Sequence, residues 1–75
     1  MKYLPLLLVL VTIHYTVATG DTLQLIAERY CPGTDPRQVA EFREGIRELN
    51  YDALGDAEVW PGLVLSINRW EEDGE

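Results

Sequence analysis

One helix-start signal is written twice in this chain, at Asp21-Thr22-Leu23-Gln24 and at Asp35-Pro36-Arg37-Gln38. Each has an acid in the cap position and Gln three residues later, and the second places proline at the first helical position, where a missing N–H costs nothing. The spacing predicts two short helices. Leu23, Ile26, Ala27 and Tyr30 recur as the apolar stripe of the first, which Cys31-Pro32-Gly33 ends; Val39, Phe42, Ile46 and Leu49 form the stripe of the second. Asn50 suits a left-handed residue closing that helix.

Extended runs flank the pair. His14-Tyr15-Thr16-Val17 precedes it and ends at Ala18-Thr19-Gly20, and Leu63-Val64-Leu65-Ser66-Ile67 follows the turn pair Pro61-Gly62. Tyr15 and Val17 share a face, as do Leu63, Leu65 and Ile67. Two strands alone are marginal, but two amphipathic helices against one face close a core. The expected fold class is α+β, with βααβ order and a two-stranded antiparallel sheet packed on two helices. The chain divides into an apolar segment over residues 1–13, a domain over 14–69 and an acidic tail over 70–75.

At 75 residues there is room for one domain, with a small stability margin. One cysteine, Cys31, excludes an intramolecular disulfide, and one Cys with one His, His14, assembles no zinc site without carboxylates. Cys31 reads as a partly buried thiol at a turn, and His14 as an outward strand residue. No metal and no cofactor are expected. The net charge is −7, much of it in Glu71-Glu72-Asp73-Gly74-Glu75. Phosphate neutralisation needs a clustered basic surface, which is missing, so nucleic acid is excluded as a partner. Glu44 and Glu48 share a helix face, but Arg43 and Arg47 beside them make a solvated ion-pair surface the simpler reading than a hydrolytic carboxylate pair. No catalytic residue is assigned, and an enzyme is not expected.

The segment from Leu4 to Ile13 reads three ways. After Lys2 it is similar to the n-region and h-region of an export signal or to a membrane anchor, although no small-x-small cleavage site follows and it is half the length of a spanning helix. Val9, Val11, Ile13, Tyr15 and Val17 also alternate with Thr12, His14 and Thr16, as in a strand extension packed on a partner protein or used for self-association. A helix folded on the domain is the third reading.

Three ordered motifs carry a family resemblance. Tyr15-Thr16-Val17-x-x-Gly20-Asp21-Thr22-Leu23-x-x-Ile26-Ala27-x-x-Tyr30 resembles the opening of the LysM family. Leu49-Asn50 is similar to the close of that family's second helix, and Val59-Trp60-Pro61-Gly62-x-x-Leu65-x-Ile67 to its last strand. Departures are Gln24 at an often aromatic position, Leu63 in place of Gln and Asn68 in place of Pro. The resemblance implies a non-catalytic module that binds N-acetylglucosamine-containing glycans such as peptidoglycan or chitin, in a groove between two loops. It assigns the first loop to Gly20, Asp21, Thr22 and Leu23. The second is Asn50, Tyr51, Asp52, Ala53 and Leu54, with Pro61 and Gly62 at its far end. Gly20 permits close approach of the main chain, Leu23 and Leu54 would offer apolar contact to an acetyl methyl, and Tyr51 or Trp60 would stack on a sugar face. Trp60 reads equally as core, and Asp21 as a helix cap. Such a module is expected at a cell wall, outside the cell or anchored to a membrane. LysM-like folds also serve as structural adaptors in phage tails and baseplates; the acidic balance suits docking to a basic protein surface, so a virion component working through protein–protein contacts is the alternative.

Overall fold

The computed structural model describes residues 8–72. Residues 1–7 of the apolar segment lie outside them, as do residues 73–75 of the acidic end. Element order is β1 (Leu8–Thr16), α1 (Leu23–Tyr30), α2 (Pro36–Leu49), α3 (Tyr51–Leu54) and β2 (Val64–Glu72). The strands form one antiparallel sheet, with Ile13 opposite Ile67 and Tyr15 opposite Leu65. The architecture is the expected α+β arrangement, with one addition: residues after Asn50 form a single helical turn, α3, where a loop was expected.

β2 runs further than its alternation suggested, and β1 takes in the alternating stretch from Val9 as the strand-extension reading had it. β1 begins at Leu8, and β2 continues through Asn68-Arg69-Trp70 to Glu72, so Leu8 stands opposite Glu72. β-branched Val9, Val11, Thr12 and Ile13 favour extended backbone here, and the charged residues of β2 do not interrupt pairing because this part of the sheet is solvated.

Inward-facing Val17, Leu65 and Ile67 meet Leu23, Ile26 and Ala27 of α1, Val39 and Ile46 of α2, and Leu54, Val59 and Leu63 from the connection to β2. Leu65, Ile67 and Ile26 are completely buried, each contributing about 1.5–3 kcal/mol relative to exposure. The α1 stripe is buried as expected, with Tyr30 at its rim. The α2 stripe is buried in part: Val39 and Ile46 are core, Phe42 is half-buried against it and Leu49 is exposed. The core-facing line of α2 therefore runs through Val39 and Ile46.

Helix ends differ from expectation at two points. The cap of α1 is Thr22, not Asp21; the Thr22 side chain accepts from the Leu25 N–H at 3.1 Å. Asp21 is drawn back to β1 instead, where it accepts from the Ala18 N–H at 3.0 Å and from the Tyr15 hydroxyl. Gln24 does not close a capping box, being turned to Glu28 and Arg43. Asp35 holds the cap position of α2 with Pro36 behind it, but makes no side-chain cap bond. Asn50 is not left-handed, with φ −112°. Its side-chain amide decides its geometry by joining α2 to β2: Nδ2 donates to the carbonyls of Ile46 and Ser66, and Oδ1 accepts from the Ser66 N–H at 2.8 Å. The turn into β2 is Trp60-Pro61-Gly62-Leu63, closed by the Leu63 N–H on the Trp60 carbonyl at 3.2 Å, with Gly62 at φ 94°. Proline followed by a glycine of positive φ is what a type II turn requires.

Candidate functional site

The loop entering α1 and the connection from α2 to β2 are distant in sequence and adjacent in space. The Glu58 carboxylate accepts from the Leu23 N–H at 2.8 Å and from its neighbour Val59 at 3.1 Å. A second tie is the Gly62 N–H on the Val17 carbonyl at 2.9 Å. A helix N-terminus has unsatisfied N–H groups and a partial positive charge; here Thr22 and Glu58 each supply an acceptor. Glu58 was no candidate from sequence, because a contact across 35 positions leaves no local signal.

The first loop presents mostly main chain. Gly20 is exposed at φ 92°, a conformation that suits glycine, and Thr22 is spent on the cap. Asp21 is committed to structure. Its carboxylate accepts from Tyr15 and Ala18, and the Arg29 guanidinium lies 3.9 Å from the other oxygen. The Tyr15 hydroxyl, then the Ala18 N–H, hold its carboxyl below the usual aspartate range. The same bond raises the Tyr15 phenol, with Arg29 opposing by donating to the hydroxyl at 2.9 Å. Arg29 also stacks over the Tyr15 ring, 5.5 Å from its centroid.

The apolar contact expected of two residues is corrected. Leu23 is 1% exposed and Leu54 3%, so both side chains belong to the core and their main chain alone lines the loops. In the second loop Asn50 has its amide occupied by Ile46 and Ser66. Tyr51, half exposed, has its hydroxyl 3.2 Å from the Asp56 carboxylate; Asp52 and Ala53 are exposed on the same short turn. Arg47 braces the segment behind them, donating to the carbonyls of Gly55 at 2.7 Å and Ala57 at 2.9 Å. Trp60 is exposed beside the turn rather than core. The structure thus sets Glu58 and Gly62 against the first loop and the end of β1, and leaves Gly20, Tyr51, Asp52, Ala53 and Trp60 exposed.

Elsewhere, a groove of about 420 Å³ lies between α2 and β2, with Phe42, Leu49 and Trp70 among its walls and none of the loop residues. On the exposed face of α2, Glu44 is held by Arg43 at 2.9 Å and Arg47 at 3.9 Å, pairs worth little in water. No helix among the described residues is long and apolar enough to cross a membrane.

Comparison with known proteins gives one positive finding. The family model of the LysM domain matches residues 15–42, spanning the end of β1, all of α1 and the first half of α2. The first loop lies inside the match and the second beyond it. No curated protein and no solved structure matches the chain. LysM is a family of binding modules, generally non-catalytic, directed at N-acetylglucosamine-containing glycans and usually found in extracellular or cell-wall proteins.

Proposed function

From the match of residues 15–42 to the LysM family model, we propose a non-catalytic module that binds a peptidoglycan-type N-acetylglucosamine polymer across its two loops. The observation that carries this reading is the clamp of Glu58 on the Leu23 N–H, which holds the α1 entry against the connection to β2. The contact residues proposed are those of the two loops, Gly20, Asp21, Thr22 and Leu23 with Asn50, Tyr51, Asp52, Ala53 and Leu54. Their contributions differ. Leu23, Leu54, Asp21 and Asn50 shape the surface through main chain and internal bonds, whereas Gly20, Tyr51, Asp52 and Ala53 face the solvent.

The chemistry suits a sugar. An N-acetyl group needs a main-chain donor and acceptor at close approach, which Gly20 permits, and a small apolar neighbour, which Ala53 supplies. The Tyr51 ring offers a flat apolar surface for a pyranose face. A site this shallow binds weakly alone, so retention on a polymer rests on several copies acting together. The expected location is the cell wall.

Retention on insoluble peptidoglycan and on chitin tests the reading, with Tyr51→Ala and Ala53→Glu as site variants. Loss of retention in both, with unchanged circular dichroism, is expected. Equal retention of both variants, or none by the parent protein, would remove the glycan assignment.

One observation favours a second reading, a phage virion adaptor acting through protein–protein contacts. The far end of the sheet exposes Val9, Leu10 and Trp70, apolar surface that the loops do not use. Failure to bind either glycan would shift the balance to it.

A further inference from the structure

Among the described residues, nothing guards the outer edge of β1. The Val17 N–H donates to the Leu63 carbonyl at 2.8 Å and the Val17 carbonyl accepts from Gly62. Alternate residues of an antiparallel pair turn both main-chain groups toward the partner or both away. In β1 the residues of Val17's parity therefore face β2, and Leu8, Leu10, Thr12, His14 and Thr16 turn their N–H and C=O groups outward. On β2 the same alternation turns Ser66 outward, and there the Asn50 amide takes both groups. No such cover reaches β1: among the described residues, nothing hydrogen-bonds to its outward main-chain groups.

Exposed strand edges are ordinarily blunted by Lys, Pro, a bulge or a covering element. β1 is nine residues long, LVLVTIHYT, with none of these and no residue of fixed charge. Its partner is different: β2 carries Arg69, Glu71 and Glu72, and the sequence continues with Asp73 and Glu75.

We propose that this edge is a homodimerisation surface, two copies joining β1 to β1 antiparallel in a continuous sheet of order β2-β1-β1-β2. This proposal stands apart from the glycan reading. Three features select a second copy. First, the edge matches itself. With Thr12 on the two-fold axis, Leu10 faces the second copy's His14, Val11 its Ile13 and Val9 its Tyr15, and no fixed charge is buried. Second, the five outward residues pair in this register with about ten hydrogen bonds, two for each pair, which is the number a typical protein interface carries, about ten. Third, the order keeps like charges apart. It holds the two acidic β2 strands at three strand spacings, about 14 Å, beyond the screening length of about 8 Å at physiological salt. Pairing through β2 instead would set Glu71, Glu72 and the acidic ends against their equivalents and would have to displace Asn50. The contact also borders apolar surface, since Leu10 is 54% exposed. A strand edge is small for an interface, so association is expected in the micromolar range.

Sedimentation equilibrium of the full chain across roughly 1 to 100 µM spans that range. The protein is expected to pass from monomer to dimer. Thr12→Pro removes an outward N–H and, of the ties to β2, only the Thr12 hydroxyl's bond to Asn68, and Leu10→Lys adds the charge the edge lacks. Both are expected to weaken the dimer at least about tenfold, the loss of a hydrogen-bonded pair being worth that much, while far-ultraviolet circular dichroism stays unchanged. If Thr12→Pro unfolds, Leu10→Lys decides alone. A monomer throughout, which would leave the edge to a strand of another protein, overturns the proposal. So does a dimer that Leu10→Lys leaves intact, or growth beyond the dimer.

Discussion

Asp21 stands between β1 and α1, its carboxylate taking the Tyr15 hydroxyl and the Ala18 N–H with Arg29 beside it. These bonds favour the ionised form, so its carboxyl titrates below the ordinary aspartate range. A group with a lowered folded pKa contributes stability above its unfolded pKa and loses it as pH falls through the folded value. The contribution is therefore intact at neutral pH and fades below about pH 4, where unfolded aspartate protonates. Asp21→Asn should unfold at lower urea than the parent protein at pH 7, and the gap in midpoint should narrow by pH 3. A gap of the same size at both pH values would assign the loss to packing rather than charge. Because Asp21 also sits in the first loop, this separates its structural role from any glycan contact. The acid at this position was legible in the sequence as a cap, and its neighbour was the one that caps. Two candidates stood side by side, and long-range contact with Tyr15 chose between them, which no local pattern records.

Among the elements, α1 and the paired strands were legible because their apolar periods, of a helix and of a strand, match one buried face each. The ends were less so. β2 runs past Ile67 into Arg69, Glu71 and Glu72, where periodicity vanishes because pairing continues without burial. α3 was invisible because a four-residue turn carries no period. The loop residues were legible through resemblance, but not always their burial: Leu54 read as a surface contact and is core, and Leu23, read both as helix stripe and as contact, is core. Asn50 shows the same limit. Its position after α2 was clear, yet its work is to satisfy the outward N–H and C=O of Ser66 on β2. Asn50→Ala strands that half-buried N–H, at a cost of about 1–3 kcal/mol. Equilibrium urea unfolding should show the loss with no change in slope, since the surface exposed on unfolding is the same. Asn50→Asp keeps the acceptor for Ser66 N–H and loses both donations, and should fall between the two. An Asn50→Ala protein as stable as the parent would mean that water replaces the amide without cost.

The molecule as a whole is longer than its core, 51 Å against 23 and 21 Å. Fully buried Leu65 and Ile67 lie where the helices cover the sheet, while Val9 and Leu10 are exposed towards the other end of β1. A two-stranded ribbon without a packed face is marginal in water, so stability should grade along β1. At concentrations low enough for a monomer, the inward amides of Ile13 and Tyr15, paired with Ile67 and Leu65, should exchange hydrogen only through global unfolding. Those of Val9 and Val11, paired with Glu71 and Arg69, should exchange faster through local fraying, by at least about tenfold for a difference near 1.4 kcal/mol. Raising the concentration then tests the ribbon and its edge together. Dimerisation should protect the outward amides of Leu10 and Thr12 and slow the fraying of Val9 and Val11, whereas a ribbon that rests on its own pairing alone would exchange alike at every concentration.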